Sequence, residues 1–111
     1  MMVHRGEVYY VNFSPYIGCE QGGIRPAVVV QNEIGNRYSH TMIVAPISTK
    51  MTKHSLPTHI FLPQGILEKD SIVLLEQIRT VDKRRIIKYA GLLEKNQMNQ
   101  IDEGLRISLG L

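Results

Sequence analysis

The sequence predicts a mainly β domain: a small antiparallel barrel carrying one C-terminal helix. Three observations carry that expectation. Five or six short runs rich in Val, Ile, Tyr and Phe are separated by clusters of Gly, Pro, Asn and Ser. The runs follow one another too closely for the crossover connections that a parallel sheet needs. Near the C-terminus the apolar period lengthens. Met98, Ile101, Leu105 and Leu109 step by three, four and four residues, the stripe of an amphipathic helix.

The elements follow in order. Residues 7–13 hold Val8, Tyr9, Tyr10, Val11 and Phe13 and read as a first strand. Residues 14–24 form the longest early stretch without a strand, with Pro15, Gly18, Gly22 and Gly23. Ordering such a loop costs entropy, so in a small barrel it points to function. Residues 27–31 are opened by Pro26 and apolar through Val30, as a strand buried on both faces should be. Strands are expected at 41–47 and at 58–62, the latter bounded by Pro57 and Pro63. A longer apolar strand spans 71–78, a weaker one spans 87–92, and the helix begins near Glu94.

A chain of 111 residues forms one domain, 1–111, and should bury roughly two-thirds of its unfolded surface. With 43% hydrophobic and 21% charged residues it lies in the globular range, which excludes wholesale disorder. Its longest apolar blocks are short, such as Ala27 to Val30, far below the ~18 residues that cross a bilayer. The N-terminal Met-Met-Val-His-Arg-Gly lacks the apolar core of a secretory signal. Cys19 is the single cysteine, so neither an intrachain disulfide nor an all-cysteine metal site can form. The expectation is a soluble cytoplasmic protein with no membrane association.

Net charge is only +3, but its distribution is uneven. Between Ile34 and Leu67 no acidic residue occurs, while Arg37, Lys50, Lys53, His40, His54 and His59 lie there. That stretch suits a phosphate backbone, and equally an ordinary solvated surface. Zinc-spaced Cys/His pairs, a phosphate-cradling Walker glycine loop and a Gly-x-Ser-x-Gly elbow are all lacking. These absences disfavour metal- and nucleotide-dependent enzymes.

Three polar groups remain. In Glu20-Gln21-Gly22-Gly23-Ile24-Arg25-Pro26, a carboxylate, two glycines and an arginine precede a buried strand. Exposed N–H groups beside a guanidinium would hold a phosphate, and the same residues would also make a plain glycine turn. At the end of the third strand, Ser48, Thr49 and Lys50 offer two hydroxyls and a cation, either to a ligand or to turn backbone. Glu76, Gln77 and Arg79 either line a groove or form a surface charge ladder. Cys19 stands beside Glu20, whose charge raises a thiol pKa, which argues against a nucleophilic cysteine. Tyr9, Tyr10, Phe13 and Tyr16 cluster near the N-terminus, where alternate rings cover a core or subunit surface or stack on a base.

Several of these segments together resemble the MazF/PemK family of toxin endoribonucleases. The likeness runs through Arg5-Gly6-Glu7-Val8-Tyr9, the segment from Gly18 to Pro26, and Val28-Val29-Val30-Gln31-Asn32. It continues in Leu56-Pro57-Thr58-His59, Asp70-Ser71, the segment from Leu75 to Lys83, and Ile107-Ser108-Leu109. Nearly the whole chain is covered, with the strongest likeness to MazF members of Gram-positive bacteria. The resemblance implies a homodimeric, SH3-like barrel of the type shared by MazF, PemK and CcdB. It further implies a type II toxin that cuts single-stranded mRNA at a short sequence with no metal or other cofactor, and a MazE-like antitoxin as partner.

Carried onto matching positions, the resemblance puts Arg25 at the scissile phosphate with the hydroxyl that ends the third strand. Family members usually have Thr there; this chain has Ser48, followed by Thr49. Glu20 becomes the candidate base, as the one carboxylate of the glycine-rich loop. Arg5, Cys19, Gly22, Asn36, Leu56, Pro57, His59, Glu76, Gln77 and Arg79 are implied to bind RNA. Close relatives have Ser at the position of Cys19, so the recognised sequence is expected to differ. CcdB-like gyrase inhibitors share the barrel but have no use for Arg25 and the Ser48 hydroxyl.

Overall fold

The computed structural model describes residues 2–15, 17–18, 22–50 and 56–111. Along the described residues run β1 (Glu7–Asn12), β2 (Ile24–Val29), α1 (Glu33–Tyr38), β3 (Thr41–Ser48), β4 (His59–Leu62) and β5 (Ser71–Leu74). After a 3-10 turn at Leu75–Gln77 come β6 (Arg79–Asp82), a second 3-10 turn at Lys83–Arg85, β7 (Ile86–Leu92) and α2 (Lys95–Leu109). The mainly β architecture with a C-terminal helix is the expected one.

Every strand pairing is antiparallel. The order is β4-β5-β3-β2-β1-β7, with β6 also on β3. The long β3 strand is shared: β6 pairs with Thr41 to Val44, and β5 with Ile47 and Ser48. The β4–β5 hairpin therefore leaves the main sheet as a wing. No pairing joins β4 to β7 among the described residues, so the sheet is not closed. Helix α2 packs against β4 and the first 3-10 turn instead.

Sheet alternation builds two cores, one on each face. Val8 and its register partner Val28 face Ala45, Ile47, Ile60, Val73, Leu75 and Ile101 of α2. Tyr9 and Ala27, the next pair, face Val11, Phe13, Val29, Met42, Val44 and Val81. Ala27, Val28 and Val29 are consequently buried on both sides, which explains the unbroken apolar run in the sequence. Each such valine contributes about 1.5–3 kcal/mol of hydrophobic stabilisation.

The helix starts as expected. Glu94 caps it, and its N–H donates to Gln97 Oε1 at 2.9 Å. Ile101 is fully buried, whereas Leu109 at the end of the expected stripe lies half exposed. Gly104 brings the helix close: a Cβ there would lie 2.4 Å from Leu75 Cδ1. Some elements differ from expectation. The strand expected at 71–78 breaks at Leu75, because the chain leaves one segment of β3 to join another through the 3-10 turn. Helix α1, unpredicted, is short, holds a glycine and shows no apolar stripe; Asn32 caps it by accepting from Gly35 N–H at 2.8 Å.

Candidate active site

The strand expected at 27–31 begins earlier, at Ile24, and this moves Arg25 from the loop into β2. Arg25 is the register partner of Val11. Over Ile24, Arg25 and Pro26 the strand is paired to β1 alone, since its pairing with β3 covers Ala27 to Val29. Pro26, with no N–H to give, stands at the first position where β3 has departed. The pairing Ala27 with Pro46, continued by two residues, brings Arg25 opposite Ser48 and Ile24 opposite Thr49. By that point β3 has turned to β5, where Ser48 pairs with Ile72. Arg25 and Ser48 thus stand on the two strands just beyond the point where their pairing ends.

Alternation also gives them the same face, the one bearing Ala27 and Val29 on β2 and Met42 and Val44 on β3. Arg25 is half-buried, and its Nε donates to Gly22 O at 2.7 Å. That bond fixes the side chain through one nitrogen. The two terminal nitrogens of the guanidinium have no partner among the described residues and remain a planar fork for an anion. Gly23 makes the turn into β2 with φ +74°, the left-handed region that glycine favours. Its carbonyl accepts from Phe13 N–H at 2.8 Å, and its N–H donates to Ser14 Oγ at 3.2 Å.

Ser48 is buried while Thr49 is exposed, so the two hydroxyls point apart as the end of a strand requires. Ser48 Oγ accepts from Lys50 N–H at 3.1 Å and donates to no described residue.

Across the β4–β5 wing lies a second cluster. Ile60 and Leu62 turn to the helix-side core, so His59 takes the face of Ser48. β4 is two strands from β3, roughly 10 Å at ordinary strand spacing. His59 Nδ1 accepts from Leu56 N–H at 3.2 Å, which leaves the ring proton on Nε2. That proton is donated to Glu76 Oε2 at 2.9 Å, and Thr58 Oγ donates to Glu76 Oε1 at 3.0 Å. Two donors thus orient a carboxylate that still has unused lone pairs. Leu56 and Pro57 lie exposed beside it. Arg79 stands nearer the core of Tyr9 and Ala27, its guanidinium 5.4 Å from the Phe13 ring centroid and its Nη1 3.5 Å from Phe13 O. Gln77, half-buried, ends the 3-10 turn that carries Glu76.

Two sequence-derived candidates lie elsewhere. Arg5 sits near the far end of β2, with Nε on Val30 O at 2.9 Å and Nη2 on Asp102 Oδ1 at 2.7 Å. Asn36, on α1, is 1% exposed; its amide donates to Gln31 O and Glu33 Oε1 and accepts from Gln31 Nε2. The chain does not bring either of them to Arg25. Glu20 and Cys19 fall outside the described residues, as do Tyr16 and His54. No group of three or more His, Cys, Asp or Glu that could hold a metal occurs among the described residues, and no helix is long and apolar enough to cross a membrane.

Sequence reasoning missed two contributors. Thr58 orients Glu76; its signal was adjacency to His59. Arg85 donates through Nη1 to the carbonyls of Asn12, at 3.1 Å, and Ser14, at the base of the glycine-rich loop. In the sequence it is one of three cations, Lys83-Arg84-Arg85, which look like a solvated run.

The description "PemK-like, MazF-like toxin of type II toxin-antitoxin system" belongs to a family model that matches residues 4–109. Endoribonuclease EndoA of Bacillus subtilis (strain 168) is 49% identical, the match covering 100% of this chain and 97% of that protein. Among solved structures, MazF from Deinococcus radiodurans superposes with a TM-score of 0.87 at 25% identity, covering 100% of this chain and 99% of the other. A mycobacterial endoribonuclease in complex with its cognate antitoxin gives 0.80 at 26% identity, covering 96% and 94%.

Proposed function

Because the chain belongs to the PemK-like, MazF-like toxin family of type II toxin–antitoxin systems, we propose that it cuts single-stranded mRNA at a short sequence, without a metal or other cofactor. One observation carries the reading: beyond the last β2–β3 pair, an anchored guanidinium and a hydroxyl fall at matching register positions on one face, and among the described residues neither the two terminal nitrogens nor the hydroxyl proton has a partner.

RNA brings its own nucleophile, the 2′-OH. Its attack on the adjacent phosphate gives a 2′,3′-cyclic phosphate and expels the 5′-oxygen as a 5′-OH. Negative charge gathers on the phosphorane, and the Arg25 fork and the Ser48 hydroxyl are donors suited to receive it. A preorganised donor of this kind contributes about 2.7–4 kcal/mol to transition-state binding. Glu20 is our candidate base for the 2′-OH proton; Arg25 can protonate the leaving oxygen. Ser48, not Thr49, is our choice of hydroxyl, because it shares a face and a register position with Arg25.

The held Glu76 carboxylate suits the exocyclic amine of a base, and the exposed Leu56 and Pro57 suit its ring. Gly22, Cys19, His59, Gln77 and Arg79 complete the proposed RNA contacts. Arg5 and Asn36, engaged within the protomer, have no assigned RNA contact. A MazE–MazF complex from Deinococcus radiodurans, 26% identical to this chain, supports a MazE-like antitoxin as partner; we further read the toxin as a cytoplasmic homodimer.

The test is a labelled single-stranded RNA incubated with the protein in EDTA. Cleavage with 5′-OH and cyclic-phosphate ends is expected, and a single 2′-deoxy substitution at the cut site should abolish it. Cutting of the deoxy substrate would make water the nucleophile. Inhibition by EDTA with recovery in Mg²⁺ or Mn²⁺ would overturn metal independence.

A further inference from the structure

We propose that Arg85 is a positioning residue for cleavage: from the far side of β1 it holds the loop base to which the Arg25 guanidinium is anchored. The inference rests on the reading of Arg25 as the phosphate-binding group. Beyond Val11, which pairs with Ile86, β1 has lost its β7 partner. The carbonyls of Asn12 and Ser14 then lack strand hydrogen bonds from that side, and Arg85 Nη1 donates to both. Arg85 does for this end of β1 what a further residue of β7 would do.

From there the connection is contiguous. Ser14 N–H donates to Asn12 Oδ1 at 3.0 Å, and Ser14 Oγ accepts from Gly23 N–H at 3.2 Å. Gly23 O accepts from Phe13 N–H at 2.8 Å, which closes the loop. Gly22, one residue back, supplies the carbonyl that fixes Arg25 Nε at 2.7 Å. Without Arg85 the loop base loses two charge-assisted bonds, and the Arg25 anchor moves with it. A displacement of about 1 Å at a reacting group can cost about a hundredfold in rate.

Both Arg85 bonds leave from one nitrogen, Nη1. An ammonium can donate to two carbonyls from one nitrogen, so lysine is an adequate replacement at 85. Arg25 is different, because its proposed task uses the planar fork. Conservative substitution therefore separates the two roles.

The experiment is a double-mutant cycle on single-turnover cleavage, with KM and thermal unfolding recorded for each variant. Arg85→Ala is expected to lower kcat about ten- to a hundredfold, with KM changed less than about threefold. Arg85→Lys should restore most of the rate and Arg25→Lys should not. In an Arg25→Ala background, Arg85→Ala should have almost no further effect. The Arg25 Nε–H signal in a ¹⁵N spectrum should lose its protection in Arg85→Ala and keep it in Arg85→Lys. A normal rate for Arg85→Ala beside an impaired Arg25→Ala overturns the inference and leaves the reading of Arg25 standing. Additive losses overturn it as well, since Arg85 would then act independently. If Arg85→Ala fails to fold, Arg85→Lys decides: a loss as deep as that of Arg25→Lys overturns the proposal. A normal Arg25→Ala removes the reading of Arg25 itself, and the inference with it.

Discussion

The two ends of β2 are built from similar residues and differ in what those residues have left over. Near its C-terminal end, Val28 and Val29 are held by β3, and Arg5 spends its guanidinium on Val30 O and Asp102. Asn36, close by, uses its amide entirely within the chain. At the N-terminal end β3 has turned away, and among the described residues Arg25 is held by Nε alone. An arginine tied to a carboxylate through a terminal nitrogen is a strut; one with both terminal nitrogens left open is a receptor for charge. The splayed end is therefore where the proposed chemistry is placed.

The sharpest way to break that comparison is to remove each arginine. Arg25→Ala should lower kcat by about 10²–10³ with a smaller effect on RNA binding, and Arg25→Lys should recover little of it. Arg5→Ala should leave kcat within a few-fold and lower stability by about 1–2 kcal/mol, read as a drop in the denaturant midpoint. Equal kinetic losses at both positions would show that the two ends are not functionally distinct.

A finer test uses the neighbouring hydroxyls. Ser48→Ala should impair cleavage severely and Thr49→Ala should cut at nearly the normal rate, as measured by single-turnover kinetics. The reverse result would move the working hydroxyl to the other face of the strand.

The smallest effect is expected away from both ends. Hydrogen bonds from the Arg84 side chain, and then from its backbone N–H, hold the Asp82 carboxyl down at about 2 from its ordinary value of 3.8. A carboxylate with a lowered folded-state pKa stabilises the fold above 3.8 and loses that contribution as pH falls toward 2. Acid unfolding of Asp82→Asn should therefore differ from that of the native protein at neutral pH and converge with it near pH 2. The difference should be slight, because the group is exposed. Curves parallel across the whole range would assign Asp82 no part in acid sensitivity.

Most of the fold was legible because buried strands and amphipathic helices write their periods into the chain. The stripe of Met98, Ile101 and Leu105 located α2, and the run Ala27 to Val30 announced a strand buried on both faces. Helix α1 was not legible. Polar hydrogen bonds around Asn32 and Asn36 hold it, and hydrogen bonds have no period. Nor was the open sheet, since β3 divides itself between β5 and β6 by long-range pairing. For the site, resemblance supplied the residue types, while the register of β2 against β3 decided that Ser48 rather than Thr49 shares a face with Arg25. Arg85 stayed hidden because a cation bound to carbonyls and a cation in water look alike in a sequence.

The close approach of α2 to the sheet has a consequence at the opposite surface. Gly104 leaves no room for a methyl group against Leu75, and Leu75 is followed directly by Glu76 in the same single turn of 3-10 helix. Ser108 Oγ donates to Leu75 O at 2.8 Å, so the helix grips this turn by backbone as well as by side chain. The turn behaves as a short rocker, with the helix bearing on one end and the carboxylate gripped by Thr58 and His59 on the other. If Glu76 contacts a base as proposed, the seating depth of α2 sets how that carboxylate is presented.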